Sequence, residues 1–221
     1  MRDQGAHMMR DLIHPKSPYS GFDADARPPE LQGWGSTDPI FKSILEQKNP
    51  KLIIEVGSWK GLSAIHMAQV MKALGRRDFE ILCVDTWLGS YEHWLERDDP
   101  HFFASLALEN GYPTLYRQFL TNVVKTGHHD VITPFPLTAG QAAIWLAHKN
   151  ITADFIYIDA AHDEDSVRAD LQSYWPLLSP GGVLLGDDYD QPTLAAAADR
   201  FALEMDVPLG VIGNKFLMAK D

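Results

Sequence analysis

Lys51-Leu52-Ile53-Ile54-Glu55-Val56-Gly57-Ser58-Trp59-Lys60-Gly61-Leu62-Ser63 is the stretch on which the fold turns. Leu52 to Val56 is an apolar run of strand length that stops at Gly57, and a helical pattern begins about Gly61. A buried strand breaking into a helix in this way brings backbone N–H groups and a positive helix end to one spot. Gly57 lets the backbone turn sharply, and Gly61 lets a ligand or the strand approach closely. Glu55, at the carboxyl end of the strand, adds a fixed negative charge, so a positively charged ligand group suits the turn as well as a phosphate. A strand-to-helix turn that simply needs two glycines is the plain alternative.

Outward from this stretch, strands alternate with helices. Upstream, Asp38-Pro39 reads as an N-cap with proline at the first helical position, followed by an apolar stripe of Ile40, Phe41, Ile44 and Leu45 that ends near Asn49-Pro50. Downstream, a helix through Ile65, Ala68 and Met71 ends at Gly75. Strands are expected at Phe79 to Asp85, Val131 to Phe135, Asp154 to Asp159 and Val183 to Gly186, with Ser179-Pro180-Gly181-Gly182 as a turn. Helices are expected at Ala139 to His148, Glu164 to Trp175 and Pro192 to Met205. Pro208 to Ile212 and Lys215 to Ala219 flank Gly213-Asn214, a hairpin signal. The alternation demands an α/β fold with a parallel sheet and right-handed crossovers, and the hairpin adds one antiparallel strand.

Residues 1–36 form an N-terminal arm rich in breakers, and Gly5-Ala6-His7-Met8 has the composition of a cloning scar. Tyr19, Phe22 and Trp34 give the arm enough apolar bulk to lie over the domain or over a neighbouring subunit of a homo-oligomer. Residues 37–221 read as a single domain, interrupted by an insertion at about 86–118.

The chain of 221 residues, 45% hydrophobic and 22% charged, is long enough to bury roughly three-quarters of its unfolded surface. Its net charge of −11 argues against nucleic acid or an anionic membrane as partner. No apolar run approaches a membrane span and no signal-peptide pattern opens the sequence, so a cytoplasmic protein is expected. Cys83 lies in an apolar strand pattern and reads as a buried structural thiol.

Ligands of an open parallel sheet gather beyond the carboxyl ends of its strands. Those ends carry Glu55, Asp85, Asp159, Asp187 and Asp188. So many carboxylates along one apolar rim require a bound cation. Asp85 is placed to accept hydrogen bonds from both hydroxyls of a ribose. Asp159, Asp187 and Asp188 supply hard oxygen ligands for magnesium or another divalent ion, with open positions left for substrate oxygens. His162, three residues beyond Asp159, is one turn away and can take a proton from a hydroxyl polarised by that ion. The bland reading makes His162 and the Asp187-Asp188 pair helix caps. In the insertion, Trp87, Tyr91 and Trp94 head a run of aromatics that suits a lid over a small-molecule substrate, or a subdomain core or oligomer contact. His128-His129-Asp130 falls on the opposite edge and reads as a solvated loop.

The pattern Glu55-x-Gly57-x-x-x-Gly61 resembles motif I of the class I S-adenosylmethionine-dependent methyltransferases, over about Thr37 to Asp221. Asp159-x-x-His162 with Asp187-Asp188 resembles the metal-dependent O-methyltransferases of the catechol and macrolide-sugar kinds, in the histidine version rather than the lysine one. The resemblance implies a Rossmann-like, seven-stranded, mostly parallel sheet with one antiparallel strand and helices on both faces. It implies S-adenosylmethionine held by Glu55, Gly57, Gly61 and Asp85, with Ser63 on the methionine carboxylate and Thr138 and Gln141 near adenine. It implies magnesium on Asp159, Asp187 and Asp188, His162 as general base, and a sugar, polyketide or aromatic diol, of the kind met in natural-product biosynthesis, as acceptor. Three alternatives remain open: a metal-independent N- or O-methyltransferase, an NAD-dependent oxidoreductase, and a non-catalytic interaction protein. The absence of a Gly-x-Gly-x-x-Gly spacing counts against the oxidoreductase.

Overall fold

The computed structural model describes residues 8–99 and 101–221, so Gly5-Ala6-His7 lies outside the described residues. The chain runs through α1 (Met8–Ile13), α2 (Pro39–Lys48), β1 (Leu52–Val56), α3 (Leu62–Ala73), β2 (Glu80–Val84), α4 (Tyr91–Leu95), α5 (Leu115–Lys125) and β3 (Ile132–Phe135). It continues through α6 (Ala139–His148), β4 (Ala153–Ile158), α7 (Glu164–Tyr174), β5 (Leu178–Gly186), α8 (Pro192–Met205), β6 (Leu209–Ile212) and β7 (Lys215–Ala219). The seven strands form one sheet in the order β3-β2-β1-β4-β5-β7-β6. β1 to β5 pair in parallel, and β7 runs antiparallel to both β5 and β6. Strand order reverses between β1 and β4, which is where an open α/β sheet leaves a crevice.

β1 and β2 are buried along their whole length because helices cover both faces. On one face Ile54, Val56, Leu82, Ile156 and Leu184 pack with α6, α7 and α8. On the other Ile53, Ile81, Phe155, Tyr157 and Leu185 pack with α2, α3 and α5. Asp38 caps α2 by accepting the Ile40 N–H at 2.8 Å, and Gly213-Asn214 makes the turn of the closing hairpin.

Three features differ from the sequence expectations. α5 carries little helical signal in the sequence, since Thr121, Asn122, Val123 and Val124 are poor helix formers. Burial of Leu115, Phe119, Leu120 and Val123 wins, at roughly 2 kcal/mol each against a few tenths per residue of lost propensity. α1 emerges in the arm, docked where Glu80 accepts the Met9 N–H at 3.0 Å and Arg10 reaches the carbonyl of Ile132 at 3.3 Å. The Ser179–Gly182 turn lies inside β5 rather than before it. Pairing with β4 jumps from Ala153–Leu178 to Phe155–Val183, and the extra residues bulge out through Gly181 at φ +75°.

Candidate active site

A cleft of about 600 Å³ opens beyond the carboxyl ends of β1, β2, β4 and β5. Its floor at β1 is the glycine turn. Gly57 has φ +86°, and a Cβ there would overlap the carbonyl oxygen of Asp159, so the residue is needed for the close approach of the β1 and β4 ends. Asp85 ties the turn down: one carboxylate oxygen accepts the N–H groups of Ser58 at 2.9 Å and Trp59 at 2.8 Å, and the other that of Trp87 at 2.6 Å. A carboxylate offers about four acceptor positions. One therefore remains for a ligand hydroxyl, rather than the pair expected. Burial raises the Asp85 carboxyl above its ordinary range.

Gly57, Ser63, Asp85, Thr138, Asp159, His162, Asp187 and Asp188 all line the cleft, whereas Glu55, Gly61 and Gln141 do not. Glu55 is fully buried beneath α3, where it accepts from the Ser63 hydroxyl at 2.5 Å and the Cys83 thiol at 3.5 Å. Burial pushes its carboxyl up to about 7, so it is not the fixed negative charge expected at the rim. Gly61 does allow a close approach, but by the Phe119 ring of α5, 2.9 Å from where a Cβ would stand. Gln141 is exposed, and its N–H is capped by Thr138 Oγ1 at 3.3 Å.

At the ends of β4 and β5, Asp159, His162 and Asp188 each present one donor atom within 4.8 Å of the others. His162 lies between two carboxylates, with Nδ1 3.4 Å from Glu92 and Nε2 3.3 Å from Asp188. Asp159 is pushed up to about 8, by burial first and then by Asp187 and Asp188, and Asp188 is raised by burial first and then by Asp187 and Asp190. These groups resist losing their protons unless a cation joins them, and the two carboxylates, with the imidazole beside them, offer hard oxygen donors that suit a divalent ion. Asp187 departs from the expected triad. It accepts from Lys215 Nζ at 2.5 Å, Asn214 Nδ2 at 2.9 Å and the Asp188 N–H at 2.8 Å, and it shares the single proton of Tyr157 Oη, 2.7 Å away, with Asp159, so at most one of its lone pairs is left.

The aromatic wall is not the one the insertion promised. Trp87 is buried against Tyr116 and Phe119 with its Nε1 donating to the Trp59 carbonyl at 2.8 Å, Tyr91 is 58% exposed, and Trp94 donates outside the cleft to the Leu88 carbonyl. Trp34, Trp59, His93 and Phe102 line the cleft instead. His93 stacks 4.3 Å from Trp59 and 5.3 Å from Phe102, and Trp34 reaches over from the arm, 6.1 Å from Trp59. His93 is held at Nδ1 by Ser90 Oγ at 2.7 Å, while its buried Nε2 has no partner. The arm is fixed in place by α5: Asn122 exchanges two 2.8 Å hydrogen bonds with the backbone of Glu30, and Gln118 bonds the Pro28 carbonyl at 3.1 Å.

Lys215, Asn214, Tyr157, Glu92 and Trp34 thus belong to the site without having been singled out for it. The hairpin held a signal for Lys215, since antiparallel pairing sets Phe216 opposite Gly186 and so brings Lys215 beside Asp187. Glu92 and Trp34 had none, because their positions depend on loops. His128-His129-Asp130 does lie at the far edge, where Asp130 pairs with Lys72 at 2.6 Å, although His128 is buried rather than solvated.

Residues 54–189 match a family model described as a methyltransferase domain. No curated protein matches the sequence. Among solved structures, an O-methyltransferase from Bacillus cereus in complex with SAH is 17% identical with a TM-score of 0.57, over 95% of this chain and 93% of that one. The O-methyltransferase TomG from Streptomyces achromogenes, involved in tomaymycin synthesis and in complex with SAM, is 16% identical with a TM-score of 0.57, over 95% and 92%. The O-methyltransferase NovP is 17% identical with a TM-score of 0.58, over 88% and 83%. At such identities the likeness is one of fold.

Proposed function

The chain belongs to the methyltransferase-domain family, as a class I S-adenosylmethionine-dependent enzyme, and on that premise we propose that it methylates a hydroxyl oxygen of a small molecule with the help of a divalent cation. The observation that carries the reading is the meeting of Asp159, His162 and Asp188 within 4.8 Å, in the same cleft as the Gly57 turn. Gly57, Ser63, Asp85 and Thr138 would hold the cofactor, whose sulfonium supplies an activated methyl group. Asp159 and Asp188 would hold magnesium or a similar ion, which supplies the positive charge that lowers the pKa of an acceptor hydroxyl.

The protein's own part is mostly orientation. Asp85 fixes the glycine turn, and so the face the cofactor meets. Trp34, Trp59, His93 and Phe102 form an apolar wall that excludes water and suits a flat ring, either an arene or a sugar face. His162 Nε2 takes the acceptor proton, with Glu92 on the other ring nitrogen to favour the imidazolium as it forms. A vicinal diol, whose second oxygen can also reach the ion, is the acceptor class that fits best. The test is methyl transfer to a panel of catechols and sugar diols, before and after chelation with EDTA. Activity should vanish on chelation and return with magnesium; undiminished transfer would leave the metal half of the reading wrong. Binding of S-adenosylhomocysteine without binding of NAD separates the whole reading from an oxidoreductase.

A further inference from the structure

Three aspartates face one rim, yet one of them is already answered by a charge of the protein's own. Asp187 is 6% exposed and Lys215 is 0% exposed, and they pair at 2.5 Å. The ammonium lies over the rings of Tyr157 and Phe41, 5.3 Å and 5.6 Å from their centroids. Gly35 of the arm closes the pair from above: a Cβ there would stand 3.2 Å from Lys215 Nζ and 3.4 Å from Asp187 Oδ2. Tyr157 Oη bridges the two halves of the cluster, within 3.0 Å of Asp159 and 2.7 Å of Asp187.

We propose that Lys215 is a built-in cation that withholds Asp187 from the divalent ion, so that Asp159 and Asp188 carry the ion with His162 at their side. This rests on the metal-assisted reading above and changes which residues serve it. Turning Asp187 toward an ion would leave a fully buried ammonium with only the Tyr157 hydroxyl, 3.4 Å away, as partner. Breaking a buried pair from one side is strongly unfavourable. Charge balance points the same way. Three carboxylates and one ammonium leave a net −2, which a single divalent ion neutralises.

The test uses Mn²⁺ as probe, titrated into the full chain in the presence of S-adenosylhomocysteine and followed by the electron paramagnetic resonance signal of the free ion. The double variant Asp187→Asn with Lys215→Met removes the pair without stranding a charge, and it should bind Mn²⁺ within about threefold of the unsubstituted chain. Asp188→Asn should weaken binding at least tenfold. Equal loss in the double variant and in Asp188→Asn would overturn the proposal and make Asp187 a ligand, while leaving the metal-assisted reading intact. No Mn²⁺ binding by the unsubstituted chain would overturn both. Melting temperatures test the pairing independently of any ion. Lys215→Met alone should melt well below the double variant, and equal melting of the two would also sink the proposal.

Discussion

Gly57 and the carbonyl oxygen of Asp159 stand so close that no side chain fits between the ends of β1 and β4. At φ +86° the position is also one that L side chains rarely adopt. Gly57→Ala should therefore destabilise the protein by roughly 3 kcal/mol, a backbone strain compounded by a clash with main chain that cannot rotate away. Urea denaturation reads the loss, and calorimetric titration with S-adenosylhomocysteine should show binding lost with it. A variant that matches the parent in both would mean the two strand ends can part at little cost.

The buried Glu55 carboxyl makes stability depend on pH. Burial pushes it up to about 7 against an ordinary 4.5, so the folded state keeps a proton that the unfolded state has already released. Stability from this group is intact below the unfolded value, falls as pH rises through that window, and stays reduced above the folded value. The full difference is on the order of 3 kcal/mol. Glu55→Gln cannot ionise and still offers an oxygen to Ser63. It should be more stable than the parent at pH 8, with the gap closing toward pH 4. Parallel stability–pH curves for the two proteins would show that Glu55 ionises freely in the fold.

The strands and most helices were legible because their signals are local. Leu52 to Val56 is an unbroken apolar run, Asp38-Pro39 is a cap, and Gly213-Asn214 permits little but a tight turn. α5 was not legible, because packing against Gly61 and the sheet overrides its weak propensity. The acidic strand ends could be read as a set, but the partner of each could not. Asp187 finds Lys215 only because β7 returns antiparallel along β5, a contact 28 residues distant in sequence. The aromatic wall is hidden from the sequence for a related reason. Composition gives the insertion's aromatics without saying which turn inward, and Trp87 was drawn into the core by Phe119 while Trp34 arrived from the arm.

Asp85 does two jobs at once, holding three backbone N–H groups and facing the cleft. Asp85→Asn puts an amide N–H₂ against at least one of those donors. The turn should loosen by about 1–3 kcal/mol, the usual cost of an unsatisfied buried group. Affinity for S-adenosylhomocysteine should fall at least tenfold by calorimetry. Unchanged affinity alongside lowered stability would confine Asp85 to holding the turn.

His162 sits between Glu92, 3.4 Å from Nδ1, and Asp188, 3.3 Å from Nε2. Glu92 comes from α4 in the insertion, so the proton acceptor is oriented by an element that also walls the cleft. A general base contributes typically 10²–10⁴-fold, and a carboxylate that orients one contributes a smaller share. His162→Ala should therefore lower the rate of methyl transfer to a catechol acceptor by about 10²-fold or more, with S-adenosylhomocysteine affinity within twofold of the parent. Glu92→Gln should lower the same rate by roughly tenfold, with the acceptor KM little changed, because the acceptor is not held by Glu92 itself. A rise in KM with kcat intact would instead make Glu92 part of the acceptor wall. Full activity in His162→Ala would move the base elsewhere in the cleft, with His93, whose Nε2 lacks a partner, the next residue to replace.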